Sequence, residues 1–332
     1  MVKDKEHKIL ILGASSKIAK YLIEILLKKG YQNITCITRS ENKKNYPQFL
    51  KFKKINSFET LNDIEKEISE ANIIINLIGE YKKKSKMNFT NIEYIKCLCE
   101  KIKLNKNKQR LIHISSVSCY GYSTKFSRKH ILINEKSKDC PNCLYGFSKS
   151  KGDQIIKKLK DIKKKSFTII RPTIIYDLKG SSKFINKLIS ISRLNSFLRV
   201  LDEKNFLNII DIRDVSNILY RVINNLDTSK NQIFIASNDY MLKEYLNEIY
   251  KLFEIKFIRT KKLKIAFIIF LKFIKFIKLT FFINNFLLIF FSNRRYSNKK
   301  LSNKLRYTPK FKIKNNLELQ KSIKNNNSIK SL

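Results

Sequence analysis

The start of the chain constrains its fold more than any other feature. Lys8-Ile-Leu-Ile-Leu-Gly-Ala-Ser-Ser-Lys-Ile-Ala19 reads as a short buried strand, a tight turn at Gly13 and the opening of a helix. Apolar residues continue at helical spacing from Ile18 to Leu27, and Lys28-Lys-Gly30 supplies the stop. The alternation then repeats. Strands are predicted over residues 33–38, 49–55, 72–77, 110–115 and 167–170, with helices over 61–68, 88–102 and 145–162. The run 72–77 is largely apolar, as expected of a strand buried on both faces of a parallel sheet. Strands alternating with helices predict an α/β fold, a doubly wound parallel sheet with its ligand at the carboxyl ends of the strands.

Beyond Arg171-Pro172 the pattern loosens. Helices are predicted over 184–191, 215–225 and 242–253, and a strand over 232–236. Residues after about 320 form a polar tail. The segment 263–291 is rich in Phe, Ile and Leu, but its longest unbroken apolar run is residues 265–271. A bilayer span needs about 20 such residues. Lys264, Lys272, Lys275 and Lys278 fall on one side of a helical wheel. Two readings stand: helices packed on the rest of the protein, or an amphipathic helix in peripheral contact with an anionic membrane.

The charge is extreme, with 69 basic against 27 acidic residues and a formal net charge of +42. That invites a polyanionic partner. The lysines are spread over the whole chain, whereas nucleic-acid modules concentrate them and interleave aromatics. Heavy use of Lys, Asn and Ile is the bias expected of A/T-rich codons, so no nucleic-acid partner is expected. The charged opening Met1 to Lys8 does not resemble a secretion signal, and the six cysteines read as reduced thiols. A cytoplasmic protein is expected, with membrane association left open by the 263–291 segment. Cys140-Pro-Asn-Cys143 has no second pair to complete a zinc site, so no metal is expected. It lies in the run toward Tyr145 rather than in a thioredoxin-like unit, and is read as loop thiols.

Chemistry is concentrated in Ser116, Tyr145 and Lys149. A Tyr and a Lys four positions apart share one helix face. A free Tyr titrates at roughly 10, and a nearby ammonium favours the phenolate. A serine hydroxyl can then hold the substrate oxygen whose C–H bond gives or takes a hydride. The Gly13 turn is predicted to bring backbone N–H groups and a helix N-terminus, through Ser16, Lys17 and Ile18, to a dinucleotide pyrophosphate. Ser16 and Ala19 occupy the second and third glycine positions of that fingerprint. At the end of the second strand an acidic residue would bind a ribose diol and an Arg a 2′-phosphate. Here Ile37-Thr-Arg-Ser40 presents Arg39, which tilts the cofactor, NADP or NAD, toward NADP.

The ordered set Gly13-Ala-Ser-Ser-Lys-Ile-Ala19, Asn76-Leu-Ile-Gly79, Asn88, Ile114-Ser-Ser-Val-Ser-Cys-Tyr-Gly121, Tyr145-Gly-Phe-Ser-Lys149, Arg171-Pro-Thr-Ile-Ile-Tyr176 and Ile210-Asp-Ile-Arg-Asp214 resembles the extended short-chain dehydrogenases/reductases of the NAD-dependent epimerase/dehydratase family. The resemblance runs from about Lys8 to about Pro309. It implies a Rossmann-like dinucleotide domain over 1–172 that carries the catalytic trio. It further implies a smaller, interleaved substrate-binding lobe over 173–320, before the tail at 321–332. It assigns Ser116 as the catalytic hydroxyl, Tyr145 as general acid/base, and Lys149 as the group that binds the nicotinamide ribose and lowers the Tyr pKa. It places Asn56 at the adenine edge, Gly79 at a backbone contact after the fourth strand, and Asn88 on a helix near the cofactor.

The resemblance also implies a nucleotide-sugar epimerase or 4-ketoreductase in surface polysaccharide synthesis, acting on a small sugar-like substrate; a homodimer is compatible with it. Val117 and Ser118 stand where dehydratases of that family carry an Asp-Glu pair, which argues against a 4,6-dehydratase. Leu207 stands where many of its epimerases place a diphosphate-binding Arg, which argues against a nucleotide diphosphate. The competing expectation is a non-catalytic dinucleotide-binding protein attached to a membrane or complex.

Overall fold

A computed structural model describes residues 6–39, 47–58, 61–121, 130–177, 206–244, 247, 251 and 294–311. Strand β1 (Ile9–Leu12) is buried at every position. Its side chains alternate between two cores, Ile9 and Ile11 in one, Leu10 and Leu12 in the other, because successive strand residues point to opposite faces. Helix α1 (Lys17–Lys28) starts at Ser16, whose Oγ accepts the Ala19 N–H at 3.1 Å, and turns Ala19, Leu22, Ile23 and Leu26 inward. The chain continues through β2 (Ile34–Thr38), β3 (Lys51–Lys54), α2 (Glu65–Glu70), β4 (Ile73–Asn76), α3 (Lys84–Asn88), α4 (Tyr94–Leu104) and β5 (Gln109–Ile114). Then come β6 (Ile131–Ile133), α5 (Leu144–Lys157), β7 (Lys165–Pro172), β8 (Ile174–Tyr176) and β9 (Phe206–Asp211). Last are α6 (Ile212–Ile223), β10 (Gln232–Ala236), β11 (Asn238–Met241), β12 (Arg294–Tyr296) and α7 (Lys299–Leu305).

The main sheet has seven strands in the order β10-β7-β5-β4-β1-β2-β3, every pair parallel. Helices α1, α6 and α7 contribute to the core on one face, and α2, α4 and α5 to the core on the other. This is the doubly wound, Rossmann-like α/β sheet expected from the alternating pattern. The strand order reverses between β1 and β4, and such a switch point opens a crevice at the carboxyl ends of the strands. Two small sheets, β11-β9-β8 and β12-β6, accompany the large one.

Several elements differ from the expectation. The helix expected over 61–68 is a 3₁₀ turn, Asn62–Ile64, followed by α2. The helix expected over 88–102 begins earlier, at α3, and reaches α4 through a π-helical turn, Phe89–Glu93. That turn contains the buried Asn91, whose side chain bonds the backbone of Glu80 instead of facing solvent. Strands β6, β8, β9, β11 and β12 were not anticipated. Most are three or four residues long, too short to show a period. The expectations for 184–191, 263–291 and 321–332, and for most of 242–253, lie outside the described residues. Among the described residues no helix is long and apolar enough to cross a membrane.

Candidate active site

The turn after β1 is fixed before any ligand arrives. Gly13 has φ +84°, and a Cβ there would stand 3.0 Å from Ile78 Cγ1, so glycine answers both a backbone and a space requirement. The Gly13 and Ala14 N–H groups both donate to the Ile37 carbonyl, at 3.2 and 2.9 Å. The Gly13 N–H is thus engaged by β2. The groups left to an anion are those of the first helical turn, including Lys17 and Ile18, which have no carbonyl four residues back within the helix. Ser16 uses its oxygen to cap α1, and its hydroxyl hydrogen remains to donate. The Lys17 ammonium turns aside to Asp177, 2.7 Å away, and Tyr21 donates to the same carboxylate at 3.1 Å.

Past β2, Arg39 is exposed and its guanidinium lies 5.8 Å from the centre of the Phe58 ring. Phe58 meets Tyr94 edge-on, with centroids 6.0 Å apart. Asn56 is exposed on the loop after β3. Contacts continue inward: the Tyr94 hydroxyl donates to Asn76 Oδ1 at 3.3 Å, and Asn76 Nδ2 lies 3.1 Å from His113 Nδ1. Burial, with the nearby Lys149 charge, holds His113 well below its ordinary pKa, so its ring is neutral.

Ser116 follows β5 and caps the 3₁₀ turn Val117–Tyr120; its Oγ accepts the Ser118 N–H at 3.1 Å and its hydroxyl donates to Ser118 Oγ at 3.0 Å. Ser115 is committed elsewhere, donating to the buried Asp153 at 2.9 Å. Tyr145 is half-buried in the first turn of α5, its ring 6.5 Å from that of Tyr81. Lys149, one turn further, is buried and donates to the Ile114 carbonyl at 2.9 Å. A Cβ on Gly79 would come within 3.1 Å of its Nζ. Lys149 is thus lodged between the loops that follow β4 and β5. Burial pulls its pKa below the usual lysine value, and the Asp153 carboxylate pushes it back up.

Asn88, expected near the cofactor, is exposed at the end of α3. Asn91, three residues on, is buried. It accepts from Glu80 N at 3.1 Å, donates to Glu80 O at 2.8 Å, and reaches Ser148 Oγ at 3.0 Å. It therefore ties the residue after Gly79 to the residue before Lys149. A second group missed from sequence surrounds Arg171, which is 1% exposed. Arg171 makes paired bonds to Asp139 at 2.6 and 2.8 Å, contacts Asp153 at 2.9 Å, and stacks 4.7 Å from the Tyr120 ring centre. The network joins α5, β7 and the turn that follows β5. An Arg before Pro172 signals a charge inside a strand, but nothing local names its partners.

The positions of the missing acidic pair, Val117 and Ser118, are buried in the 3₁₀ turn. Leu207 is fully buried in β9. Cys143, read as a loop thiol, caps α5, its Sγ accepting the Gly146 N–H at 3.3 Å. No group of three or more His, Cys, Asp or Glu side chains among the described residues is placed to hold a metal.

A family model described as the NAD dependent epimerase/dehydratase family matches residues 9–236. No curated protein matches the chain. Solved structures do. A short-chain dehydrogenase/reductase superfamily protein from Agrobacterium tumefaciens, with bound NAD, superposes with a TM-score of 0.71 at 13% identity over 98% of this chain and 99% of that one. UDP-glucuronic acid 4-epimerase from Bacillus cereus, in complex with NAD, gives 0.67 at 16% identity over 95% of each chain. RMD from Pseudomonas aeruginosa, complexed with NADPH, gives 0.60 at 13% over 94% and 95%. At these identities the likeness is one of fold.

Proposed function

The chain belongs to the NAD dependent epimerase/dehydratase family, and from that premise we propose that it transfers a hydride at a secondary alcohol or ketone of a nucleotide-linked sugar. The reaction is a 4-epimerisation or a 4-keto reduction. The observation that carries this reading is the placement of Lys149. It is buried, bonded to Ile114 O and pressed against Gly79, one helical turn from Tyr145 and beside the loop of Ser116. Such a cation has little structural reason to be buried there, since burial lowers its pKa.

The cleft fits a nicotinamide dinucleotide. In this reading Lys17 and Ile18 open the α1 N-terminus toward a pyrophosphate, Gly13 keeps the turn close to the sheet, and Arg39, exposed after β2, takes a 2′-phosphate. Arg39 makes NADP the preferred form. When bound, the nicotinamide supplies or accepts the hydride. Tyr145 moves the proton on the substrate oxygen. Ser116 holds that oxygen through its hydroxyl, which requires it to exchange its present bond to Ser118. Lys149 stabilises negative charge on the Tyr145 oxygen and presents its remaining N–H groups to the ribose. Val117 and Ser118 leave no carboxylate to eliminate water, so a 4,6-dehydration does not fit. UDP-glucuronic acid 4-epimerase has this fold, which supports a nucleotide-linked substrate despite Leu207. Residues 173–320 supply the substrate lobe in this proposal.

The test is incubation of the protein with UDP-, dTDP- and GDP-hexoses and their 4-keto forms, with each nicotinamide nucleotide, read by chromatography. Epimer formation without net change in cofactor identifies the epimerase. Loss of NADPH with a keto sugar identifies the reductase. No change with any pair contradicts the reading.

A further inference from the structure

Cys140 and Cys143 stand at the joint between the two catalytic segments. Cys143 caps α5 two residues before Tyr145, its Sγ accepting the Gly146 N–H at 3.3 Å. Cys140 is bound to the other segment, its N–H donating to the Cys119 carbonyl at 3.0 Å in the turn that Ser116 caps. The fit is close on that side, since a Cβ on Gly121 would overlap the Cys140 carbonyl. Cys140 is exposed and Cys143 half-exposed, while Cys36, Cys99 and Cys119 are buried. Burial pushes those three thiols up to about 12, which keeps them protonated and unreactive at neutral pH. Cys97 on α4 is also partly exposed, and burial raises its thiol as well; what sets Cys140 and Cys143 apart is their place three residues from each other at the start of α5.

We propose that Cys140 and Cys143 are a reversible dithiol/disulfide pair, closed by exchange with a small disulfide of the glutathione class, and that closure removes the cap of the helix carrying Tyr145 and Lys149. Exposed Cys140 attacks the small disulfide as its thiolate. A mixed disulfide forms, and one glutathione leaves, taking up the proton that Cys140 lost. Cys143 then attacks the Cys140 sulfur, releasing the second glutathione, which takes the Cys143 proton. Two protein thiols are oxidised by two electrons and one glutathione disulfide is reduced to two thiols. Bonding requires Cα atoms roughly 4.4–6.8 Å apart. In the closed form the Cys143 sulfur is bonded to Cys140, and the proposal requires that this turn it from the Gly146 N–H it now accepts.

The experiment uses the full chain equilibrated at graded ratios of reduced to oxidised glutathione, quenched with an alkylating agent and digested with trypsin. The peptide spanning residues 139–149 holds both thiols. It should appear unalkylated and lighter by two hydrogens, in a fraction that rises with oxidised glutathione and is reversed by dithiothreitol. Cys140→Ser and Cys143→Ser should each abolish the light peptide and leave at most a glutathione adduct. Hydrogen–deuterium exchange in the same peptide should quicken on closure, as Gly146 loses its acceptor, and should not change under the same treatment in Cys140→Ser. These readouts are independent of any substrate. A peptide that stays fully alkylated at every ratio, or carries glutathione alone, overturns the pair. A light peptide with unchanged exchange overturns the link to the helix.

Discussion

At the scale of single residues, the proposed chemistry turns on Lys149. Its ammonium is buried and committed to one carbonyl, with further N–H donors to give a ligand. Lys149→Met should weaken cofactor binding as well as turnover. A lost charge-assisted hydrogen bond is worth about 1.5–3 kcal/mol, or roughly ten- to a hundredfold in a dissociation constant. Fluorescence titration with NADPH would show it, and an unchanged constant would remove Lys149 from the ribose. In the proposed function Arg39 sets the cofactor preference. NADPH should bind more tightly than NADH, and Arg39→Asp should shift the preference toward NADH; equal affinities in the unaltered protein would contradict its role. Both residues could be singled out in the sequence, one from a Tyr and a Lys one turn apart, the other as a basic residue closing the second strand. Asn91 could not. The distinction from Asn88 depends on a π-helical turn that puts Asn91 inside and leaves Asn88 exposed, and no periodicity in the sequence marks that turn.

Among the elements, the junction of α5 with β5 and β7 determines whether the site is held in shape. Arg171 on β7 is clasped by the buried Asp153 of α5 and by the partly exposed Asp139 ahead of it. Removing only the cation leaves a fully buried carboxylate uncompensated. Arg171→Met should therefore destabilise the protein by about 3–5 kcal/mol, the range for breaking a buried pair from one side. Urea unfolding would measure this, and a loss under about 1 kcal/mol, the level of a surface pair, would show that the network bears little of the load. The network was invisible in sequence because its partners lie 18 and 32 residues apart along the chain. The parallel strands were visible because burial on both faces favours apolar residues: β1 reads Ile-Leu-Ile-Leu and β4 opens Ile-Ile-Ile, and both are buried at every position. Strands such as β8 and β12 have only three residues each and mixed exposure, so neither length nor alternation sets them apart from a loop.

For the whole molecule, the buried neutral His113 makes stability depend on pH. Its folded pKa lies well below the ordinary value near 6.5, so the unfolded chain takes up the proton first. The stability it permits is complete above about pH 6.5 and falls as pH drops toward the folded pKa, by about 1.4 kcal/mol per pH unit. Asp239, pushed up to about 6 by burial, acts in the opposite sense. The readout is therefore the difference between wild type and His113→Gln in urea unfolding at pH 7 and pH 5. The variant should lose less stability on acidification, and parallel losses would contradict the assignment. The fold and the trio together lead to one central claim, that Tyr145 moves a proton while a hydride crosses to or from a sugar carbon. The most direct measurement is deuterium transfer from NADPH labelled at the nicotinamide C4 to a 4-keto nucleotide sugar, followed by mass spectrometry in wild type and Tyr145→Phe. The account predicts label on the sugar carbon in the wild type. In the variant the transfer rate should fall by about 10²–10⁴-fold, the usual worth of a positioned acid/base, with NADPH binding retained. Transfer at equal rates in the two proteins would contradict it.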